Sequence, residues 1–350
     1  MGLNSFWEYP ECNLCGSSKV KVFYNSVKTW EYKEVFRIVK CIRCGLMYLY
    51  PRPNKKNIAK FYPQNTYWGM PAKEAKKVYR PIYKKIFKKF KTGAILDVGA
   101  GAGFFLTKFK DLGWDYSGIE LSSHAARMAK RRGIENIEVG DFPEDFRTNQ
   151  QFEVITFNNS LEHLYQPRQA LIKAKKLLKN DGLIVICVPN FNSLGRIIFK
   201  SDWFPLQPPR HLYHFTLDTI SLMLSKAGLK VTEVSYDYFE HNFYSLFQSF
   251  RYKFSPRFNS RSQENPAFQG GDELSSGMSS SFRGTPALLE RGGRHKDSLT
   301  KKNIKSFSTN QSTMKFFGKI FANVFAFKVA LLGSFLGRGE YFIVTAQKSN

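Results

Sequence analysis

The chain has 350 residues, of which 43% are hydrophobic and 16% aromatic, enough for a packed interior and outside the composition of a disordered or fibrous chain. Its net charge of +25 would suit an acidic partner such as nucleic acid or anionic lipid, yet the excess is uneven. Lys plus Arg against Asp plus Glu run 20 to 5 over residues 1–92, 17 to 16 over 93–238 and 16 to 7 over 239–350, so the middle of the chain is nearly neutral and the flanks carry the charge.

The start MGLNSFWEYP has no basic stretch followed by an apolar one, and Phe6 stands where a myristoylation signal needs Ser or Thr; the expectation is a chain that begins in the cytoplasm. Residues 1–56 hold Cys12-x2-Cys15 and Cys41-x2-Cys44, each pair followed by a glycine, Gly16 and Gly45. Two thiolates at this spacing can take one side of a tetrahedral zinc, and the glycine lets backbone amides turn toward sulfur. Two such knuckles predict a small N-terminal zinc ribbon whose closed four-sulfur site holds structure and does no chemistry. A redox pair would want a βαβ context absent here, and a reducing compartment disfavours disulfides. The fifth cysteine, Cys187, lies in GLIVICV and reads as a small buried hydrophobe.

Residues 57–92 read as a linker, with FYPQNTYW at 61–68, and a basic amphipathic helix over 72–91 in which Val78, Ile82, Ile86 and Phe90 recur every four residues among lysines. Such a helix could dock on anionic lipid or nucleic acid, or present a solvated lysine face.

At 95–105 the chain reads ILDVGAGAGFF, and Glu120 closes the next strand. Glycines between a strand and a helix bring backbone close to a ligand, and an acid ending the following strand can hold a ribose diol, which predicts a nucleoside cofactor. A P-loop is excluded, because Phe104-Phe105 stand where Lys and Ser or Thr would meet phosphates. Gly99, Gly101 and Gly103 are spaced G-x-G-x-G, not G-x-G-x-x-G, and Asp97 precedes them within the strand. Strands are expected at 94–98, 115–120, 136–139, 153–157 and 182–188, with helical spacing at Ala170, Leu171, Ala174, Leu177 and Leu178. Thr216 reads as the N-cap of a helix ending at Ala227-Gly228, and LKVTEVSYD follows as a sixth strand.

Residues 239–338 read as an insertion. Over 255–312, Ser, Gly, Arg and Asn replace apolar periodicity, and the segment is expected to be disordered. An apolar helix is expected at 314–337; it is long enough to span a membrane, but Lys315, Lys319 and Lys328 interrupt it. Covering a sheet edge or a substrate mouth, or docking on a membrane surface, are the alternatives.

Taken in order, the glycine turn, Asp141 in IEVGDF, the strand FEVITFNN with Asn158, and the segments SLEHLYQP, LLKNDGLIVICVPN and PPRHLYHFT resemble the class I S-adenosylmethionine-dependent methyltransferases over residues 93–238 and the last ten or so. The resemblance implies an α/β, Rossmann-like doubly wound seven-stranded sheet, its last strand antiparallel, formed by 93–238 plus 339–350. It implies S-adenosylmethionine as cofactor, with Gly99 and Gly101 against its methionine part and Glu120 on the ribose hydroxyls. Asp141 would take the adenine amino group with Phe142 beside the ring, and Asp97, Gly103 and Asn158 complete the cofactor set.

Methyl transfer from a sulfonium is largely a matter of placement, but a hydroxyl acceptor also needs a base. His163 follows the fourth strand, and His211 and His214 the fifth, at the carboxyl edge where ligands bind. In related sugar methyltransferases a His and a Tyr of the corresponding segment lie near the acceptor, which points to His211 and Tyr213; the alternative is that these histidines only pack the loop. Glu162-His163 could hold the cofactor pocket or share a divalent ion with substrate. Asn158-Asn159-Ser160-Leu161 lacks the Pro-Pro-aromatic pattern of nucleobase amino methylation, and no Pro-Cys suits cytosine C5 chemistry. The whole plan, including Tyr67 in the linker, is similar to bacterial methyltransferases acting on sugars and surface-glycan precursors. It implies a small-molecule acceptor, a sugar or lipid-linked glycan, with peripheral membrane contact as an option and RNA held by the basic flanks as the alternative.

Overall fold

The structure is a computed structural model that describes residues 6–29, 33–62, 77–254 and 308–349. The expected linker beyond residue 62, the first residues of the basic helix and positions 255–307 of the expected disordered segment lie outside the described residues.

The cysteine segment folds as two small sheets. Strand β1 (Trp7–Glu8) pairs with β5 (Arg52–Pro53), while β2 (Val20–Lys28), β3 (Val35–Cys41) and β4 (Met47–Leu49) form an antiparallel meander. The chain then enters helix α1 (Arg80–Lys89), whose Ile82 and Ile86, with Val78 just before it, are buried against Phe105, Phe109 and Trp114. Tyr83 stacks on Phe105 at 5.1 Å and donates to its carbonyl at 2.9 Å. The apolar stripe that could have docked on lipid is therefore consumed inside the protein, and α1 leaves Arg80, Lys84, Lys88 and Lys89 exposed.

The core alternates as the apolar runs require. Strands β6 (Ala94–Val98), β7 (Asp115–Glu120), β8 (Ile137–Val139), β9 (Phe152–Asn158) and β10 (Leu178–Pro189) are parallel. Helices α2 (Phe104–Asp111), α3 (Ser123–Arg131) and α4 (Pro167–Leu177) connect them, and α5 (Leu194–Phe199) follows β10. All five residues of β6 are buried, as a central strand covered on both faces demands. Strand β11 (Tyr213–His214) leaves this sheet, and α6 (Leu217–Lys226) begins at Thr216, whose hydroxyl accepts from the Thr219 amide as an N-cap. Strand β12 (Leu229–Ser235), helices α7 (Phe239–Phe254) and α8 (Ser308–Phe335) and strand β13 (Tyr341–Lys348) complete the described chain.

The large sheet has the order β12-β13-β10-β9-β6-β7-β8, with β13 antiparallel to both neighbours. This is the Rossmann-like seven-stranded sheet with its antiparallel last strand, as expected. Two elements differ from the reading. Helix α8 begins at Ser308, so residues 308–312 are helical and not part of a disordered segment. The ribbon is also not a separate unit: β11 pairs with β4 through Tyr213 opposite Tyr48 and His214 opposite Met47, giving a four-stranded sheet β11-β4-β3-β2. Short, buried β4 has β3 on one side, and chain returning from the core as β11 pairs its other side, which would otherwise be an open edge.

Helices α7 and α8 pack Leu246, Ala326 and Ala330 against Phe191, Phe199 and Trp203 of the loops after β10, together with Val27 and Ile38 of the ribbon. Glu340 fastens this layer: its carboxylate accepts from the Gly195 amide at 2.8 Å, from the Trp203 indole and from Ser245. Among the described residues no helix is long and apolar enough to cross a membrane.

Candidate cofactor and acceptor site

The carboxyl ends of β6, β7 and β9 converge on the glycine turn. Gly99 has φ +79°, and a Cβ there would come 2.5 Å from the Ser160 Cβ, so the turn and the loop after β9 meet only because this residue has no side chain. Gly103, at φ +74°, is the N-cap of α2 and packs in the same side-chain-free way against Ala129 and Ile134. Glu120, at the end of β7, ties the turn down: its Oε2 accepts from the Gly101 amide at 2.8 Å and its Oε1 from the Ser122 amide at 2.8 Å. Burial raises the carboxyl above its ordinary value, and these amides oppose that. A carboxylate oxygen has a second lone pair, so Glu120 can hold the turn and still receive a diol.

Asp97 is 2% exposed and accepts from the Thr156 hydroxyl across the β6–β9 pair at 2.6 Å. Burial pushes it up to about 7. It lies in β6 beneath the turn. Asn158, half-buried, closes β9 beside the turn. Asp141 is half-buried and carries a partner the sequence did not announce, Lys55, whose Nζ lies 2.6 Å away and also bonds Glu144. Burial raises the Asp141 carboxyl, with Lys55 pulling the other way. Phe142, beside it, is 2% exposed and packs against Phe146 and Phe157.

The structure brings His163 and His211 together, with ring centroids 4.6 Å apart and edge to face. His163 Nδ1 lies 3.0 Å from the Arg210 carbonyl and 3.2 Å from the Tyr62 hydroxyl; His211 Nδ1 lies 2.7 Å from the Pro205 carbonyl. Burial lowers His163 to about 4 and His211 well below its ordinary value, the neighbouring histidine adding to the latter. Glu162 is fully buried beside them, and burial pushes it up to about 8. His214 is buried near Phe191, a packing residue on β11. Tyr213 lies on the same strand. It is 2% exposed, its hydroxyl accepts from Arg52 Nη1 at 2.9 Å and donates to the Tyr165 carbonyl at 3.1 Å. These two bonds tie the β11 loop to Arg52 and to the segment after β9.

Arg52 itself was not read from sequence. It is 6% exposed, pairs with Glu8 at 2.6 Å and lies 4.6 Å from the Tyr165 ring centroid. An Arg in PRPN after a ribbon carries no pattern that predicts such a clasp.

The four ribbon cysteines form one cluster, with their sulfurs within 4.8 Å of one another, Cys12–Cys44 at 3.4 Å and Cys15–Cys41 at 3.5 Å. Sulfurs around a tetrahedral zinc lie roughly 3.8 Å apart. The knuckles match: the Gly16 and Gly45 amides donate to the Cys12 and Cys41 carbonyls, and both glycines have φ near +75° (73° and 79°). The donor set suits zinc.

A Rossmann-like sheet with a glycine turn, and an acid closing the next strand, is the class that fold and site define. Residues 72–234 match the family described as a methyltransferase domain. The ubiquinone biosynthesis O-methyltransferase of Glaesserella parasuis serovar 5 is 27% identical over 133 residues, covering 35% of this chain and 56% of that protein. The protein of the same name from Thiobacillus denitrificans is 29% identical over 153 residues, covering 40% and 66%. A SAM-dependent methyltransferase of Archaeoglobus fulgidus superposes at TM-score 0.43 and 17% identity, over 79% of this chain and 95% of that one. The chain spans about half the length of the curated relatives it matches.

Proposed function

We propose that this protein transfers a methyl group from S-adenosylmethionine to a small-molecule acceptor, a hydroxyl or carbon of a sugar or glycan precursor. The observation that carries the reading is the Glu120 carboxylate bonded to the Gly101 amide at the carboxyl edge of the sheet, within the segment that matches a methyltransferase domain. The relatives are named O-methyltransferases, which favours oxygen over carbon. The sugar assignment rests on the combination of cysteine ribbon, core and antiparallel strand.

The cofactor supplies an activated methyl on a sulfonium, a good leaving group, so the chain's share of the chemistry is placement. The glycine turn admits the cofactor backbone-close, Glu120 receives the ribose hydroxyls and Asp141, oriented by Lys55, the adenine amino group. His163 and His211 stand on the acceptor side, where a nitrogen lone pair can receive or orient the hydroxyl. Zinc on Cys12, Cys15, Cys41 and Cys44 would hold the ribbon and through β4 the loop that carries His211.

Isothermal calorimetry tests the reading. S-adenosylhomocysteine should bind with an affinity in the micromolar range, roughly −8 kcal/mol, and Glu120→Ala should cost about 1–3 kcal/mol. Unchanged affinity in the variant removes Glu120, and with it the assignment.

A further inference from the structure

Glu162, His163 and His211 each offer a ligating atom within 4.8 Å of the others. Glu162 is fully buried, and neither carboxylate oxygen has a hydrogen-bond partner among the described residues. A buried carboxylate left alone is costly, and proteins retain one where a cation or a donor meets it. The two histidines complement it. Each places Nδ1 against a main-chain carbonyl, Arg210 at 3.0 Å for His163 and Pro205 at 2.7 Å for His211. A carbonyl only accepts, so Nδ1 carries the proton in both rings and Nε2 keeps its lone pair. A carbonyl fixing the far nitrogen is the support that metal-binding histidines use. Backbone bonds hold the three in place: the Leu212 amide donates to the Glu162 carbonyl at 2.9 Å and the His211 amide to the Gln207 carbonyl at 3.1 Å.

We propose that Glu162, His163 and His211 bind one divalent first-row transition cation through the carboxylate and two imidazole nitrogens, leaving positions open for an acceptor oxygen. Two histidines and one carboxylate on one side of an ion form a donor set for manganese, iron, cobalt or zinc, and three protein ligands mark an open site where four mark a closed one. This separates it from the cysteine cluster, which is complete in itself. The site lies next to the glycine turn in the chain's own geometry, since Ser160, which meets Gly99, is two residues from Glu162. An acceptor hydroxyl bound there becomes more acidic: its proton leaves to solvent, its oxygen pair forms the new O–C bond, and the C–S bond breaks with its pair going to sulfur. This role rests on the methyltransferase reading, whereas the binding of the ion does not.

The test uses the full chain with its cysteine site zinc-loaded. Manganese(II) is titrated and its free-ion paramagnetic resonance signal followed, because manganese favours oxygen and nitrogen over thiolate. The wild type should take up about one ion per chain, with Glu162→Gln and His211→Ala weakening uptake at least about tenfold. Zinc saturation followed by elemental analysis should give about two ions per wild-type chain and about one in Glu162→Gln. S-adenosylhomocysteine affinity, measured on the same samples, should stay within a few-fold; it reports folding and separates failure of this site from failure of the cofactor reading. Glu162→Gln preserves shape and removes a buried charge, so it carries the test if His211→Ala does not fold. Wild-type protein that binds no manganese, cobalt or zinc beyond the cysteine cluster overturns the proposal, as does equal binding in both variants.

Discussion

Replacing Arg52 by Ala probes the junction between the ribbon and the core. Its guanidinium is buried, donates to the Tyr213 hydroxyl at 2.9 Å, lies 4.6 Å from the Tyr165 ring centroid and pairs with Glu8, whose side chain is 36% exposed. The charge-assisted bond to Tyr213 contributes about 1.5–3 kcal/mol, the buried contact with the Tyr165 ring about 0.5–2 kcal/mol, and the half-open Glu8 pair about 0–1 kcal/mol after screening. Since such terms overlap, the expected cost is about 3 kcal/mol, a melting temperature lower by roughly 4 °C for a chain of this size. Urea denaturation measures it. A double-mutant cycle should show stronger coupling of Arg52 to Tyr213, removed by Tyr213→Phe, than to Glu8, removed by Glu8→Gln. Turnover should fall with S-adenosylhomocysteine affinity unchanged, because the clasp holds the loop that carries His211 and Tyr213 and not the glycine turn. A loss below about 0.5 kcal/mol, the range of an ordinary surface substitution, would refute the assignment of Arg52 as the tie between the two sheets.

Gly99→Ala should lower S-adenosylhomocysteine affinity at least about tenfold, since the new Cβ sits 2.5 Å from Ser160 in a left-handed backbone; calorimetry giving wild-type affinity would show that the turn yields. Glu340, raised by burial to about 7 despite its Trp203 and Gly195 donors, keeps its proton in the folded state after the unfolded chain has released its own. Stability should therefore fall as pH rises from about 4.5 to 7, by at most about 1.4 kcal/mol per unit, and level off above. In Glu340→Gln that decline should shrink, and parallel pH curves for the two proteins would disprove the linkage. Removing zinc with a chelator should raise amide exchange at Tyr213 and His214 as well as in residues 12–45, because β11 depends on β4; exchange changes confined to the ribbon would contradict that dependence.

The parts read correctly from sequence are those whose cause lies within a few residues. The run ILDV followed by alternating glycines predicts β6 and its turn, and Thr216 predicts a cap because its hydroxyl serves an amide three residues on. Periodicity in α1 showed that one face is apolar, but not that Phe105, Phe109 and Trp114 cover it. The pairs Arg52–Tyr213 and Lys55–Asp141 join positions far apart in the chain, and neither member sits in a pattern that names the other. The packing of Phe142 on Phe146 and Phe157 was hidden for a related reason, since an aromatic after a strand-end acid does not announce its neighbours. The cluster of Glu162 with His163 and His211 was half visible, since two members are adjacent while the third returns after β10 and a whole loop.

Strand β13 enters the sheet between β10 and β12, two strands made long before it. The chain leaves the sheet at Ser235 and returns at Tyr341, so for roughly 5–20 s of synthesis, about a hundred residues at ordinary ribosomal speed, both flanking strands expose an unsatisfied edge. Strand β10 is apolar and buried over most of its length, the kind of segment that pairs with the wrong partner when left open. The slot has to be kept empty while α7 and α8 are laid across the loops beside it, and then filled from the far side. The protein's most exposed moment comes late in its own production, which makes nascent-chain protection and translation speed between residues 236 and 340 determinants of its yield.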